Sequence, residues 1–323
     1  MNRRAFVTGL GAVLAAPLGV EAQQISSKVA RIGLFHVGLD HEPPALASLR
    51  DSLKRLGYED GKTIQLDYRN QPDEQAARAT ARAFARNNVD LILAFEDQAV
   101  RAAQLATSKI PVVFAHIADP VAAGYVMSLA RPGTNLTGVA DNLLSLHDKR
   151  VQILAELQLR RVLVLIDPTD PTTLPRLADL TNAAPQIGVW LVERNATTEA
   201  DLRGVFAALG KSEVESLVII SSSLSTKFPE LILRLSLERR IPLASHRKAL
   251  VEKGALFSYG PNYAAVGQDV AAYIDRILRG TKAAELPVQQ ASRFEFVINL
   301  KTAKALRLTI PPSLLLRADQ VIE

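Results

Sequence analysis

Short apolar runs alternate with longer segments of helical periodicity along most of the chain. The run VARIGLF (29–35) predicts a buried first strand. In the following PPALASLRDSLKRLG (43–57), leucines recur at helical spacing before a glycine that ends the helix. The stretches KTIQLDY, VDLILAF and IPVVFAH predict three further strands, separated by helical segments. Strands that alternate with helices are typical of parallel sheets covered by helices on both faces.

The same order begins again after RPGTNLTGVADN (131–142), where proline, glycine and asparagine interrupt the pattern. There the chain repeats a buried strand, a polar loop, a helix and a strand that opens with Ile-Pro, which predicts two similar lobes. Near the end, the strand-like stretches GALFSYGPN (254–262) and FEFVINL (294–300) flank a helical segment (264–280). A chain that visits lobe 1, lobe 2 and lobe 1 again would have its hinges at such stretches.

We therefore predict an α/β fold of two doubly wound parallel-sheet lobes joined by a multi-strand hinge. The predicted boundaries are 28–140 plus 262–293 for lobe 1, 141–259 plus 295–323 for lobe 2, and hinges near 138–142, 258–262 and 293–299. Two lobes with several crossings enclose a cleft.

The N-terminal stretch MNRRAFVTGLGAVLAAPLGVEAQQ (1–24) has the parts of an export signal. Arg3 and Arg4 precede an apolar run, and small residues precede a cleavage site after Ala22. We predict that residues 1–22 are a cleaved signal and that the mature protein is periplasmic. RRAF resembles a twin-arginine signal but lacks the Ser or Thr before the arginine pair, so the Sec and twin-arginine routes both stay open.

Composition narrows the class of protein. The chain has 323 residues, of which 48% are hydrophobic and 22% charged, which is enough to fill two globular cores. Its formal net charge of +5 comes from scattered basic residues, so we predict no nucleic-acid partner. The chain lacks cysteine, which excludes disulfides, thiolate catalysis and cysteine-ligated zinc. Phe84, Trp190 and Phe206 fall inside strand or helix patterns and are predicted to be core residues.

The chain carries none of the common short motifs of catalysis. There is no phosphate-binding glycine loop, no HExxH and no GxSxG, and the five histidines are dispersed. We therefore predict no cofactor, no metal ion and no catalytic residue. A Ser, His and acid triad assembled from distant residues stays open.

Polar loops follow the predicted strand ends, where parallel α/β sheets bind their ligands. Any one of these residues can instead be an ordinary turn or helix-cap residue, and a single histidine can be a structural one. Their shared position at strand ends predicts a ligand site. The candidate ligand-binding residues are His36, Glu96, Asp97, Gln98, His116, Asp119, Asp167, Thr169, Ser222, Ser223, Tyr259 and Asn262.

The stretch AFEDQ (94–98) allows two interpretations. In the first, Asp97 caps a helix that starts at Gln98, and Glu96 points to solvent. In the second, both carboxylates occupy the positive end of the helix, so they would repel an anionic group of a ligand and accept hydrogen bonds from a cationic amine or hydroxyls.

Several segments resemble the substrate-binding proteins of bacterial ABC importers, in the tryptophan/tyrosine-type transport group. They include RIGLF, LGYEDGKTIQLDYR, IPVVFAHIADPVAAGYVMSLARPGTNLTGVA, SYGPN and FEFVINLKTAKALRLTIPPSLLLRADQVIE. The resemblance implies a type I periplasmic binding-protein fold with three crossing strands and a ligand trapped by hinge closure. Phe95, Glu96 and Asp97 stand where the family usually has a small GT- or GS-like turn, which changes the expected ligand more than the fold.

These observations predict a solute-binding receptor that is a monomer without catalytic activity. It would bind an amino-acid-like or other polar small molecule and deliver it to an ABC permease in the inner membrane. A periplasmic sensory module that signals to a chemoreceptor or kinase is the alternative, and an α/β hydrolase is a third.

Overall fold

The computed structural model describes residues 29–38, 42–141, 144–170 and 173–323. The predicted signal at 1–22 lies outside these ranges, and so does the hinge residue Asn142. Within them, no helix is both long enough and apolar enough to cross a membrane.

The elements follow the alternation seen in the sequence. The strands are β1 (Ala30–Val37), β2 (Ile64–Gln71), β3 (Leu91–Phe95), β4 (Val112–Ile117), β5 (Leu136–Ala140), β6 (Arg161–Ile166), β7 (Trp190–Asn195), β8 (Ser216–Ile219), β9 (Leu243–Ser245), β10 (Phe257–Pro261), β11 (Gln289–Gln290), β12 (Phe294–Asn299) and β13 (Gln320–Ile322). The helices are α1 (Pro44–Arg55), α2 (Glu74–Arg86), α3 (Glu96–Ala106), α4 (Leu144–Glu156), α5 (Thr173–Ile187), α6 (Glu199–Ala208), α7 (Ser222–Lys227), α8 (Pro229–Glu238), α9 (Lys248–Glu252), α10 (Tyr263–Leu278), α11 (Leu300–Ala305) and α12 (Pro312–Leu315), with a 3-10 turn at Ala283–Glu285.

The strands form two sheets. A six-stranded sheet has the order β11-β5-β4-β3-β1-β2, and a seven-stranded sheet has the order β13-β12-β10-β9-β8-β6-β7. The strand pairs are parallel except for β10 with β12, which is antiparallel. This confirms the predicted α/β class with two parallel-dominated sheets. We call the six-stranded sheet with its helices lobe 1 and the seven-stranded sheet with its helices lobe 2.

Each sheet has a core on both of its faces. Successive side chains of a strand point to opposite faces, so one strand contributes to both cores. In β1, Leu34 packs into the core beneath α1 and α10, whereas Phe35 packs into the core beneath α2 and α3. In β6, Val164 and Leu165 divide between the two cores of lobe 2 in the same way.

The chain passes between the two sheets three times, after Ala140, after Pro261 and after Gln290. Helix α10 directly follows β10 of lobe 2, yet it packs against α1 of lobe 1. These crossings bring the carboxyl ends of the strands of the two lobes face to face.

The prediction for the three aromatic side chains was right for two of them. Phe84 and Phe206 are buried, but Trp190 is 66% exposed, so its assignment to the core was wrong. Trp190 begins β7, which is the edge strand of its sheet, and an edge strand has a neighbour on one side only.

Candidate functional site

Two of the cavities between the lobes are lined by candidate ligand-binding residues. The first, which we call the hinge-side cavity, has a volume of about 430 Å³ and is lined by Glu96 and His116 of lobe 1, Arg247 of lobe 2, and Asn262 and Tyr263 of the second crossing. The second, which we call the acidic cavity, has a volume of about 200 Å³. Its lining includes Asp97, Gln98, Asp167, Thr169, Asp170 and Ser223. The structure therefore brings eight of the twelve candidate residues to these two cavities.

Glu96 joins the lobes. It is the first residue of α3 and has a left-handed backbone conformation, with φ of 67°. Its carboxylate oxygen Oε1 accepts a hydrogen bond from Nη2 of Arg247 at 3.0 Å, and both side chains are largely buried. The attraction between the two charges is stronger away from water, but burying them also costs desolvation, and removing one partner would leave the other charge buried and unpaired. The contact therefore ties the two lobes together.

His116 sits in an irregular part of β4. The pairing of β4 with β5 shifts register between Ala115 and Ile117, and His116 has a left-handed φ of 62°. Its ring packs on Tyr263 with centroids 4.3 Å apart. Burial, assisted by the positive charge of Arg247, lowers the pKa of His116 to about 3, so the ring is neutral at physiological pH.

Asp97 does not cap a helix. Helix α3 begins at Glu96 with Phe95 as its N-cap residue and no side-chain cap, and Glu96 is buried. The first interpretation of AFEDQ is therefore wrong in both parts. Asp97 instead accepts a hydrogen bond from the Tyr125 hydroxyl at 3.2 Å, and burial raises its pKa to about 6. The second interpretation, that both carboxylates face a cationic amine or hydroxyl groups of a ligand, stays a prediction. The structure adds that Arg247 balances the charge of Glu96.

In the acidic cavity, the loop after β6 is held by hydrogen bonds within lobe 2. Oδ1 of Asp167 accepts from the Thr169 backbone N–H at 2.9 Å, and Oδ2 accepts from the Ser223 hydroxyl at 2.6 Å. The Ser223 backbone N–H also donates to Asp170 at 3.0 Å. Asp167 thus joins the β6 loop to α7. Ser222 is the first residue of α7, and its side chain lies outside the described atoms.

Three other candidates have contacts typical of structural residues. His36 is fully buried, and its Nε2 shares a hydrogen bond of 2.5 Å with the Tyr68 hydroxyl. Asp119 accepts from the backbone N–H of Val121 and Ala122, as a turn residue does. The Tyr259 ring stacks on Phe294, and Tyr259 is not among the residues that line the two cavities.

Asn262 has a structural contact and also lines a cavity. Its side chain caps α10 by accepting from the Ala265 backbone N–H at 2.9 Å, and the residue also lines the hinge-side cavity.

The sequence analysis missed several buried charged residues near the cavities. Arg247 lies shortly after β9 and His116 is the second-last residue of β4. Each of these strands is preceded by Ile-Pro, so an alignment of the two lobes would have pointed to Arg247. Asp141 follows β5, and burial raises its pKa to about 8, although Arg247 lowers it. Arg176 is buried on α5, where no local pattern marks it.

Arg150, on α4, was also missed and is almost completely buried. It donates hydrogen bonds to the Tyr259 carbonyl at 2.9 Å and to Nδ1 of His147 at 2.7 Å. Burial lowers the pKa of Arg150 to about 9. A buried guanidinium that bonds to neutral groups is electrostatically suited to an anionic neighbour.

The cavity walls therefore contain charged groups of both signs. Arg247 provides positive charge, and Glu96, Asp97, Asp167 and Asp170 provide carboxyl groups. Arg150, Arg176 and Asp141 are buried outside these two linings. This mixture suits a small solute that itself carries both charges or several hydrogen-bonding groups.

Comparison with known proteins identifies the family of this chain. A family described as ABC transporter substrate binding protein matches residues 37–322. A tyrosine-binding protein of Clostridioides difficile is 28% identical over 259 residues, which cover 79% of this chain and 74% of that protein.

Solved structures agree with the fold. A conserved domain protein of Vibrio cholerae has a TM-score of 0.78 and 29% identity, and the match covers 91% of this chain and 100% of that one. An ABC domain of Streptococcus pneumoniae in complex with L-Trp also has a TM-score of 0.78, with 24% identity and the same coverage.

Proposed function

We propose, on the premise that the chain belongs to the family of ABC transporter substrate-binding proteins, that it binds a small solute between its lobes and delivers it to an ABC permease. The family resemblance inferred from the sequence is confirmed by the match over residues 37–322. The observation that carries the proposal is the hinge-side cavity, which is lined by both lobes and bridged by the ion pair of Glu96 with Arg247. A solute that contacts both lobes there would stabilise the closed arrangement over an open one.

The proposed ligand is an amino acid or a similar polar solute. Support comes from the charged groups of both signs that line the cavities and from the ring pair of His116 with Tyr263 on the cavity wall. The relative in C. difficile is named for binding tyrosine, and the S. pneumoniae structure contains L-Trp. An amino acid would present an ammonium group, a carboxylate and a side chain to these surroundings.

The remaining parts of the proposal follow from this role. We place the mature protein in the periplasm after removal of residues 1–22, as a monomer without catalytic activity, with a permease of the inner membrane as its partner. The predicted lobe boundaries and ligand-binding residues belong to the same proposal.

Native mass spectrometry of the protein purified from its own host tests the proposal directly. We expect an adduct whose mass identifies an amino acid or a similar polar solute. That solute, added to protein stripped by mild denaturation and refolding, should bind in calorimetry with a stoichiometry of one. A protein that carries no adduct and binds none of the common amino acids, sugars and polyamines would contradict the receptor function.

A further inference from the structure

Three buried polar side-chain atoms at the ends of β3, β4 and β5 have no hydrogen-bond partner among the described residues. They are Oε2 of Glu96, Nε2 of His116 and Oδ1 of Asp141. Glu96 directly follows β3, His116 lies at the end of β4, and Asp141 directly follows β5. These strands are adjacent, in the order β5-β4-β3, so the three residues stand side by side at one edge of the sheet.

The backbone at two of these positions is unusual. Glu96 and His116 both have left-handed conformations, which are strained for a non-glycine residue. The register of β4 against β5 shifts at His116, and an irregularity of this kind re-aims a side chain near the end of a strand. Strain at two adjacent strand ends, together with buried polar atoms that lack partners, points to a bound group in the functional protein.

The charges around this edge define the chemistry of that group. Asp141 is 3% exposed and Glu96 is 4% exposed, so their carboxyl groups are shielded from water. Arg247 donates to Oε1 of Glu96 and leaves Oε2 available. Neutral His116 can accept at Nε2 when its proton is on Nδ1. Three acceptors match the three N–H donors of a primary ammonium group.

We propose, building on the receptor function above, that Glu96, His116 and Asp141 form the subsite for a primary ammonium group of the ligand. The neutral ring of Tyr263 packs on His116 and closes one side of this subsite. Because Glu96 and His116 belong to lobe 1 and Asp141 directly follows its strand β5, the ammonium is bound by lobe 1 and the start of the first crossing whether or not lobe 2 has closed. The rest of the ligand then lies towards lobe 2.

Binding at this subsite is linked to protonation of Asp141. The charged and titratable groups that face Asp141 are Arg247 and Arg176, which lower its pKa, Glu96 and Asp97, which raise it, and Tyr263. Burial outweighs the arginines, and the pKa of about 8 leaves Asp141 mostly protonated at neutral pH in the ligand-free protein. An ammonium group stabilises the carboxylate, so ligand binding releases a proton. Affinity therefore rises with pH up to about 8, by at most about tenfold per pH unit.

The test uses the common L-amino acids as probes, followed by the deaminated analogue of the best binder. For L-tyrosine, that analogue is 3-(4-hydroxyphenyl)propanoate. Wild type should bind the analogue at least about 50-fold more weakly, because a charge-assisted contact to the buried carboxylates is lost. Asp141→Asn should bind the amino acid about 10- to 100-fold more weakly, whereas Asp51→Asn, which changes an exposed carboxylate of α1 outside both cavities, should bind within about twofold.

Calorimetry in two buffers of different ionisation enthalpy counts the released protons. Near pH 7 we expect about 0.5 to 0.9 protons per ligand for wild type and close to none for Asp141→Asn. An analogue that binds within about threefold of the amino acid, or proton release unchanged in Asp141→Asn, would overturn the subsite.

The subsite and the receptor function fail in different ways. A protein that binds only a solute without an amine would overturn the subsite and leave the receptor function standing. A protein that binds no solute would overturn both.

Discussion

Asp97 shows how a single buried carboxyl group sets a pH dependence of stability. Its pKa is raised to about 6, mainly by burial, while the Tyr125 hydroxyl opposes the shift. Because this value lies above that of the unfolded chain, the folded protein prefers the protonated carboxyl. The protonated carboxyl makes its full contribution to the free energy of unfolding below about pH 4, and this contribution is lost as the pH rises through 6.

We therefore expect Asp97→Asn to raise the free energy of unfolding near neutral pH by about 1 to 2 kcal/mol, after allowance for partial exposure. The amide oxygen still accepts from Tyr125, so the local contact is retained. Urea denaturation at a series of pH values measures this, with Asp51→Asn on the exposed face of α1 as the control. Equal stability of Asp97→Asn and wild type across the series would show that Asp97 reaches water.

At the scale of elements, the contact of α1 with α10 depends on a glycine. A Cβ atom at Gly267 would lie 2.1 Å from the Ala45 carbonyl oxygen and 2.2 Å from the Ser48 hydroxyl. Gly204 lies on the exposed surface of α6, and a Cβ atom at this position would have no neighbouring atom within 4 Å. The two glycines are therefore a matched pair, one inside a helix contact and one on a free helix surface.

We expect Gly267→Ala to lower the free energy of unfolding by about 2 to 4 kcal/mol, because α10 must move away from α1. Gly204→Ala should raise it by about 0.5 to 1 kcal/mol, since alanine favours the helix. Thermal and urea denaturation of both variants check this. A Gly267→Ala variant as stable as wild type would mean that α1 and α10 separate more easily than their packing indicates.

At the scale of the whole molecule, the ion pair of Glu96 with Arg247 connects residues 151 positions apart and joins the lobes. Glu96→Gln leaves Arg247 without its carboxylate partner, and the lobes can relieve this by opening to water. We expect a larger radius of gyration in small-angle X-ray scattering of the ligand-free variant. The loss of stability should stay below about 3 to 5 kcal/mol, the loss typical of a broken buried pair, because opening lets water reach Arg247.

Glu156→Gln is the control for this prediction, since it breaks an exposed pair with Arg317 inside lobe 2. It should leave the scattering curve unchanged. If the curve of Glu96→Gln also equals that of wild type, the pair does not hold the lobes together.

The predicted export signal is a further feature to be tested at the scale of the whole protein. Residues 1–24, fused to a reporter, should carry it across the inner membrane. Loss of transport on changing both Arg3 and Arg4 to lysine would assign the twin-arginine route, and transport that persists would assign Sec. Retention of the intact fusion in the cytoplasm would contradict the signal.

The sequence by itself determined the class of fold and the location of many polar loops. Apolar residues alternate with polar ones along a strand and recur about every three to four residues along a helix, because each element must present its apolar side chains to a core. These patterns can be read from a short stretch of sequence. This is why β1 to β4 and α1 to α3 could be placed from the pattern alone. The lobe boundaries and the ligand-binding residues stay predictions.

Only the tertiary structure decided what the polar residues do. The partner of Glu96 comes from the other lobe, the conformation of His116 depends on a register shift against β5, and the protonation of Asp141 depends on burial among distant charges. Trp190 was misplaced because its strand lies at a sheet edge, which the apolar pattern of a strand does not reveal. Periodicity reports which face of an element is apolar, whereas charge, desolvation and pairing depend on atoms that meet only after the chain has folded.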